Sequence, residues 1–335
     1  MSPQYRYAPF VLLFVLNACA HTARTPTADP PTYERIARVM QSVEKPDSVI
    51  PGSAIKAATP RATRTASAGV DYTDFELPVE YNERVQDFVE LYSVRRRTVF
   101  TTWLGRMERY REYIEQRLAA LGMPRELIYV PLIESAYEAN VASQMSAVGL
   151  WQFMKGTARS EGLEVSEYVD ERRDPFRSTD AALQHLNKLY NQFDSWYLAF
   201  AAYNSGSGRI VRLLKERGIA KEDAAYWELR DALPRETRDY VPMLLGAAIV
   251  GENAASFGLA PKASAPVRFD EVTVPGATDL KAIARAAKVP LAEIKELNPQ
   301  FIKAITPPGR RARVRLPVGA ATAFEQAFSS VGSQE

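Results

Sequence analysis

From Asn82 onward apolar residues recur at three- and four-residue intervals: Val85, Phe88, Val89 and Tyr92, then Val99, Trp103, Met107, Tyr110, Ile114 and Leu118. That is the period of one face of an α-helix, and it predicts one or two long amphipathic helices. The string LGMPREL then supplies a stop at Gly122 and a restart with Pro124 in a first turn. The helix expected over 124–135 carries the apolar run Leu127, Ile128, Val130, Leu132 and Ile133 and, at its end, a lone carboxylate, Glu134. Further helices are predicted at 154–162, at 178–193 with Ser178 as N-cap, at 195–204, at 207–217 and, after Pro234, at 235–256. Strand patterning is nearly absent between 82 and 258, so this stretch reads as an all-α domain.

The pattern changes on both sides of that domain. Pro261 and Pro266 interrupt it, and VRFDEVTVP (267–275) and RARVRLPV alternate as strands do, with two short helical patterns between them. This β-α-α-β order resembles a LysM module, a small binder of N-acetylglucosamine-containing glycans, although the usual Gly-Asp-Thr-Leu turn is replaced by Gly276-Ala277-Thr278-Asp279-Leu280. Upstream, residues 20–72 are rich in Ala, Thr and Pro and poor in aromatics, a composition that buries too little apolar area to offset ordering. They read as a tether averaging roughly 40 Å end to end, with one short helix expected at 33–44. Residues 8–18 form an apolar run behind Arg6, too short for the about 20 residues of a membrane span and suited to a signal-peptide core. Cys19 follows at once, and Leu16-Asn17-Ala18-Cys19 resembles a bacterial lipobox, whose cysteine is acylated through its thiol. The expected divisions are a lipoprotein signal at 1–18, a tether at 19–75, a helical domain at 76–258 and a LysM-like domain at 267–318.

Composition removes several function classes. With 42 basic against 40 acidic residues and a formal charge of +2, the chain has no basic stripe of the kind that captures nucleic acid. One cysteine and two histidines make neither a disulfide framework nor a zinc site of Cys and His ligands, so no metal or other cofactor is expected.

A carboxylate at the end of an apolar helix loses solvation, and desolvation disfavours its charged form. Such a group holds a proton at neutral pH and donates it to a leaving glycosidic oxygen. A helix surfacing into solvent would carry the same glutamate, so position alone does not decide. Its company adds weight: GLWQFM (149–154) and AFAAYNSGSG (199–208) bring aromatics, amides and glycine turns, the groups that bind sugars. Each string alone fits a buried core equally well. Hydrolytic glycosidases use two carboxylates about 5 to 9.5 Å apart. The candidates for a second are Glu138, Asp170, Glu171 and Asp174, of which the last three fall in a DERRDP cluster that reads as a solvated, self-paired turn.

In order and spacing, Glu134-Ser135-Ala136-Tyr137, Gly149-Leu150-Trp151-Gln152-Phe153 and Ala201-Ala202-Tyr203-Asn204-Ser205-Gly206 resemble the soluble-lytic-transglycosylase (SLT) domain of lytic murein transglycosylases, and ETRDYVP (236–242) resembles its closing segment. The resemblance implies a mainly α, goose-lysozyme-like catalytic domain, here with the small LysM-like domain behind it. It also implies a peptidoglycan substrate cut between N-acetylmuramic acid and N-acetylglucosamine, with 1,6-anhydromuramyl ends. Carried over by motif, Glu134 is the acid and base, Ser143 contacts the muramyl N-acetyl group, and Gln152, Tyr203 and Asn204 line the cleft. Tyr203 is expected to hydrogen-bond near Glu134. Ser146 departs from the pattern, standing where many members have glycine. A hydrolytic muramidase and a catalytically silent peptidoglycan-binding lipoprotein are the rival readings. With Cys19 lipidated and Ala20 behind it, the implied location is the periplasmic face of the bacterial envelope, as an outer-membrane lipoprotein.

Overall fold

Asn82 opens the first helix by accepting the Val85 N–H on its side-chain oxygen (3.1 Å), which satisfies one of the donors that a helix start leaves without a partner. In the computed structural model, which describes residue 72 and residues 74–331 apart from the side chains of 328–331, this helix is α1, Glu83–Glu90. It runs into one π-helical turn, Leu91–Arg95, and is followed by α2, Arg97–Met107, and α3, Arg111–Leu121. The long apolar stripe is therefore cut into three helices, because the backbone leaves helical values at Arg96 (φ −127°) and Tyr110 (φ −121°). The signal segment, Cys19, the helix expected at 33–44 and all but the end of the tether lie outside the described residues.

Gly122 ends α3 in the left-handed region (φ 60°), as its place after the stripe predicts. Pro124 then starts a tight 3-10 turn, Arg125–Ile128, before α4, Tyr129–Ser135. The remaining helices of this unit are α5, Lys155–Ser160; α6, Pro175–Phe193; α7, Trp196–Ser205; α8, Ser207–Arg217; α9, Asp223–Leu229; and α10, Arg235–Glu252. Ser178 is not the N-cap of α6. Asp174 is: its carboxylate accepts the N–H groups of Phe176 (2.9 Å) and Arg177 (3.1 Å). Pro175, with φ preset and no N–H to satisfy, makes the first helical residue, so the helix begins three residues earlier and Ser178 bonds back to the Asp174 carbonyl (2.6 Å). Nor is the DERRDP turn solvated, since Asp170, Arg172 and Asp174 are all buried.

Helix α10 runs through the core with Tyr240 to Val250 buried, and it packs on α1, α4 and α7. Pro242 within it cannot bond to the Arg238 carbonyl; the Tyr226 hydroxyl donates there instead (2.7 Å). The C-terminal unit has its own core. Strands β1, Asp270–Val274, and β2, Ala312–Leu316, pair antiparallel with Val272 opposite Val314. Helices α11, Leu280–Ala287, and α12, Leu291–Leu297, lie between them in sequence, and α13, Ala321–Val331, follows. The chain is thus mainly α with a small two-stranded sheet. Its two cores meet where Val169, from the helical unit, joins the apolar cluster of Ile283, Ile294 and Val314.

Candidate active site

Helix α4 sets the position of Glu134. Leu127, Ile128, Val130, Leu132 and Ile133 are buried against the core, which leaves Glu134, half-buried, in the last turn. The helix stops because Ala136 (φ 52°) and Tyr137 (φ 60°) both turn left-handed. Neither is glycine, and each such residue costs about 1–2 kcal/mol. Burial of the Tyr137 ring and the bond from its hydroxyl to the Ile128 carbonyl (2.6 Å) offset that strain. Strained backbone right after Glu134 is the kind of feature that fixes functional side chains.

The next wall is the loop 141–153. Val148 and Phe153 exchange backbone hydrogen bonds (3.1 and 3.2 Å), and Gly149 N–H reaches the Val141 carbonyl (3.0 Å). Ser143 and Ala147 close a smaller turn: the Ser143 N–H donates to the Ala147 carbonyl (2.8 Å) and its hydroxyl oxygen accepts the Ala147 N–H (3.0 Å). Ser146 adopts φ 64°, so the loop keeps a left-handed turn at the position where the family pattern has glycine. Gln152 is also left-handed (φ 48°), and its amide folds back onto the Gly149 carbonyl (2.9 Å). The loop is tied to α4 by the Ser135 hydroxyl, which donates to the Leu150 carbonyl (2.8 Å). Trp151 is no sugar platform: it is fully buried, and its indole N–H donates to Thr179 (2.9 Å).

The third side comes from α7 and α10. Tyr203 does not bond to Glu134; its hydroxyl donates to the Trp151 carbonyl (2.7 Å) and so pins the loop. The phenol that reaches Glu134 is Tyr240, whose hydroxyl donates to Oε1 at 2.7 Å. Burial above all, and then the negative charge of Glu134, push both phenols far above the ordinary tyrosine pKa, so both are neutral donors. Asn204 donates to the Glu236 carboxylate (3.0 Å) and accepts from the Thr237 hydroxyl (2.7 Å). Glu236, Thr237 and Tyr240 all lie in the first two turns of α10 and are buried. The structure therefore brings Glu134, Tyr203 and Tyr240 within electrostatic reach of one another, with Gln152 and Ser143 on the adjoining loop and Asn204 on the α7–α10 contact.

Each expected candidate for a second carboxylate is committed elsewhere. Glu138 pairs with Arg106 (2.7 Å), Asp170 with Arg172 (2.8 Å), Glu171 with Arg177 (3.3 Å) and Asp174 with Arg315 (2.8 Å). The buried carboxylate that sequence reasoning missed is Glu236, and the missed phenol is Tyr240. Both stand in the ETRDYVP string, four residues apart and so on one helix face.

Comparison with known proteins finds relatives of both units. Residues 112–226 match the transglycosylase SLT domain and residues 268–332 the LysM-like domain of the lytic transglycosylase MltD. The chain is 29% identical to membrane-bound lytic murein transglycosylase D of Escherichia coli K12, over 67% of this chain and 50% of that protein. It is 39% identical to a putative tributyltin chloride resistance protein of Alteromonas sp. strain M-1, over 34% of this chain and 56% of that protein. The chain spans about half the length of the curated relatives it matches. Among solved structures, the soluble lytic transglycosylase Slt70 of Escherichia coli aligns over 45% of this chain and 25% of its own, at 26% identity and a TM-score of 0.36, too low to bear on the fold. Two successive stretches of the chain are thus similar to a transglycosylase SLT domain and to the LysM-like domain of MltD.

Proposed function

We propose that this pairing of domains makes a peptidoglycan lytic transglycosylase, which cleaves the β-1,4 bond between N-acetylmuramic acid and N-acetylglucosamine and leaves 1,6-anhydromuramyl ends. The observation that carries the proposal is Glu134 at the end of an apolar helix, held by a neutral phenol of α10. Protonated Glu134 donates to the leaving glycosidic oxygen as the bond to C1 breaks, and the muramyl N-acetyl carbonyl stabilises the cationic centre. The Glu134 carboxylate then takes the proton from the C6 hydroxyl as that oxygen attacks C1, which restores the acid without consuming water. Ser143 and Gln152 on the loop, with Tyr203 and Asn204, serve the sugar cleft. Tyr240 and the apolar run oppose each other: burial favours the acid form of Glu134, whereas a donated hydrogen bond favours the carboxylate. Held between these opposing effects, Glu134 serves first as acid and then as base in one cycle.

A hydrolytic reading has one observation in its favour, the buried Glu236 carboxylate one turn before Tyr240. Mass spectrometry of digested murein separates the two. The transglycosylase reading expects anhydro ends from the wild-type protein and from Glu236→Gln, and no cleavage by Glu134→Gln. Reducing muramic acid in the wild-type products would make the enzyme a muramidase. Equal clearing of murein by wild type and Glu134→Gln would leave the chain a binding protein. Its location at the cell envelope follows from the same substrate, and anchoring through Cys19 is checked by the loss of palmitate labelling in Cys19→Ala.

A further inference from the structure

The segment between α5 and α6, residues 164–174, touches both the loop that carries Ser143 and Gln152 and the C-terminal unit. On the loop side lies Arg172, a buried arginine. Its guanidinium forks onto the Asp170 carboxylate through Nε and Nη2, both at 2.8 Å. Its Nη1 then donates to the carbonyls of Ser146 (2.9 Å) and Phe153 (3.1 Å). Those two carbonyls bracket a stretch in which Ser146, Gly149 and Gln152 are all left-handed. The fit is close: a Cβ added to Gly149 would lie 1.8 Å from the Arg172 carbonyl oxygen. Arg173 adds a bond to the Asn140 carbonyl (3.1 Å).

On the other side, the Asp170 N–H donates to the Gln300 carbonyl (2.8 Å), and the Ile302 N–H to the Tyr168 carbonyl (3.1 Å). Val169, bridged to Phe301, is buried in the C-terminal core. Further along, Asp174 pairs with Arg315 of β2 (2.8 Å), whose guanidinium lies over the rings of Phe176 (4.7 Å) and Phe269 (4.9 Å). Lys303 and Arg310 reach Glu167 and Glu164 at the edges of the same contact. Asp170 is the shared residue: its backbone is held by the C-terminal unit and its side chain holds Arg172.

We propose that Arg172 is a positioning residue for the cleft, and that the C-terminal unit acts on the reaction by fixing Asp170 and, through it, the loop wall. The unit is then part of the apparatus that shapes the site, beyond any glycan it holds. The catalytic half of this inference rests on the reading of Glu134 given above; the structural half does not. Bidentate geometry is what a lysine cannot reproduce, so Arg172→Lys keeps the charge and removes the fork. Arg315→Met, in β2, loosens the contact without touching the loop.

Both substitutions are made in the full chain, alone and together. Amide hydrogen exchange is followed in residues 143–153 with α10 as internal reference, and kcat and KM are measured on defined glycan strands. The expected result for Arg172→Lys is exchange at least about tenfold faster in 143–153 with α10 unchanged, and a kcat lowered at least about tenfold per folded molecule. Arg315→Met shifts the same amides in the same direction by a smaller factor, and the double variant is no worse than Arg172→Lys alone. Should Arg315→Met not fold, Phe301→Ala loosens the same contact. Exchange in 143–153 at the wild-type rate in Arg172→Lys overturns the proposal, as does faster exchange with kcat unchanged. An effect of Arg172→Lys with none from either C-terminal variant overturns the role of the C-terminal unit. If the wild-type protein itself leaves murein uncut, the reading of Glu134 fails, and the exchange data still decide the coupling.

Discussion

At the residue scale the pair Glu134 and Tyr240 offers the sharpest test. The Tyr240 hydroxyl bonds to the carboxylate oxygen, and a bond to a charged partner is worth about 1.5–3 kcal/mol. Tyr240→Phe removes a donor that favours the ionised form, so the pKa of Glu134 rises. A general acid works only while protonated. Activity therefore falls as pH rises through that pKa, and in Tyr240→Phe this alkaline limb moves to higher pH. A pH profile of kcat/KM with its alkaline limb unmoved would sink the assignment. Ser146 is the complementary case of stored strain. Its left-handed backbone costs about 1–2 kcal/mol, and glycine there returns some of it to unfolded-state entropy. Ser146→Gly is expected to raise stability by about 0.5–1 kcal/mol in denaturant titration, and an unchanged or lower midpoint would count against strain at this turn. The placement of Glu134 at the end of a buried apolar run was legible in the sequence. Its partner was not: Tyr203 and Tyr240 are both tyrosines in motif strings, and only the crossing of α4 with α10 decides which phenol arrives.

At the scale of elements, Asp174 joins two tasks. It caps α6 and neutralises Arg315, which is buried and comes from the other unit. Loss of a cap costs about 1 kcal/mol, and breaking a buried ion pair by removing one partner about 3–5. Asp174→Ala should therefore lower the melting temperature by on the order of 10 °C. Asp174→Asn, which still caps, should lose less. Equal losses would mean that the ion pair alone matters, and no loss in Asp174→Asn that the cap alone does. The same residue shows what local pattern omits. Ser178 has the chemistry of a cap and an apolar stripe behind it, but Pro175 had already fixed the first turn. The DERRDP string suggests a solvated turn because opposite charges stand close enough in it to pair with one another. It is buried because Arg315, well over a hundred positions later in the chain, supplies the charge that lets Asp174 leave water. The helices around α4 and α7, and the β1–α11–α12–β2 order, were legible because periodicity and turn residues agree there. The division of the first stripe into α1, α2 and α3 was not, since an apolar face continues across a break that packing imposes.

For the whole molecule, buried phenols set an alkaline limit. Tyr92, Tyr129, Tyr137, Tyr197, Tyr226 and Tyr240, of sixteen tyrosines, are buried in the helical core. Burial pushes each above the ordinary value of 10.0. The folded chain then binds protons that the unfolded chain releases near pH 10, so the stability these groups contribute is complete below that pH and is lost above it. Each removes about 1.4 kcal/mol per pH unit once the unfolded state ionises, and several acting together exceed the margin of a typical domain within one or two units. Burial shifts Tyr110, Tyr113 and Tyr203 in the same direction. Tyrosinate absorbance from these phenols should therefore rise steeply, together with the loss of the helical circular dichroism. A single gradual rise to full ionisation while the helices persist would show that the phenols reach solvent in the folded state. Tyr240 would then be open to water, its bond to Glu134 would lose the buried setting argued for it, and the balance of acid and base proposed for the cleft would need another source.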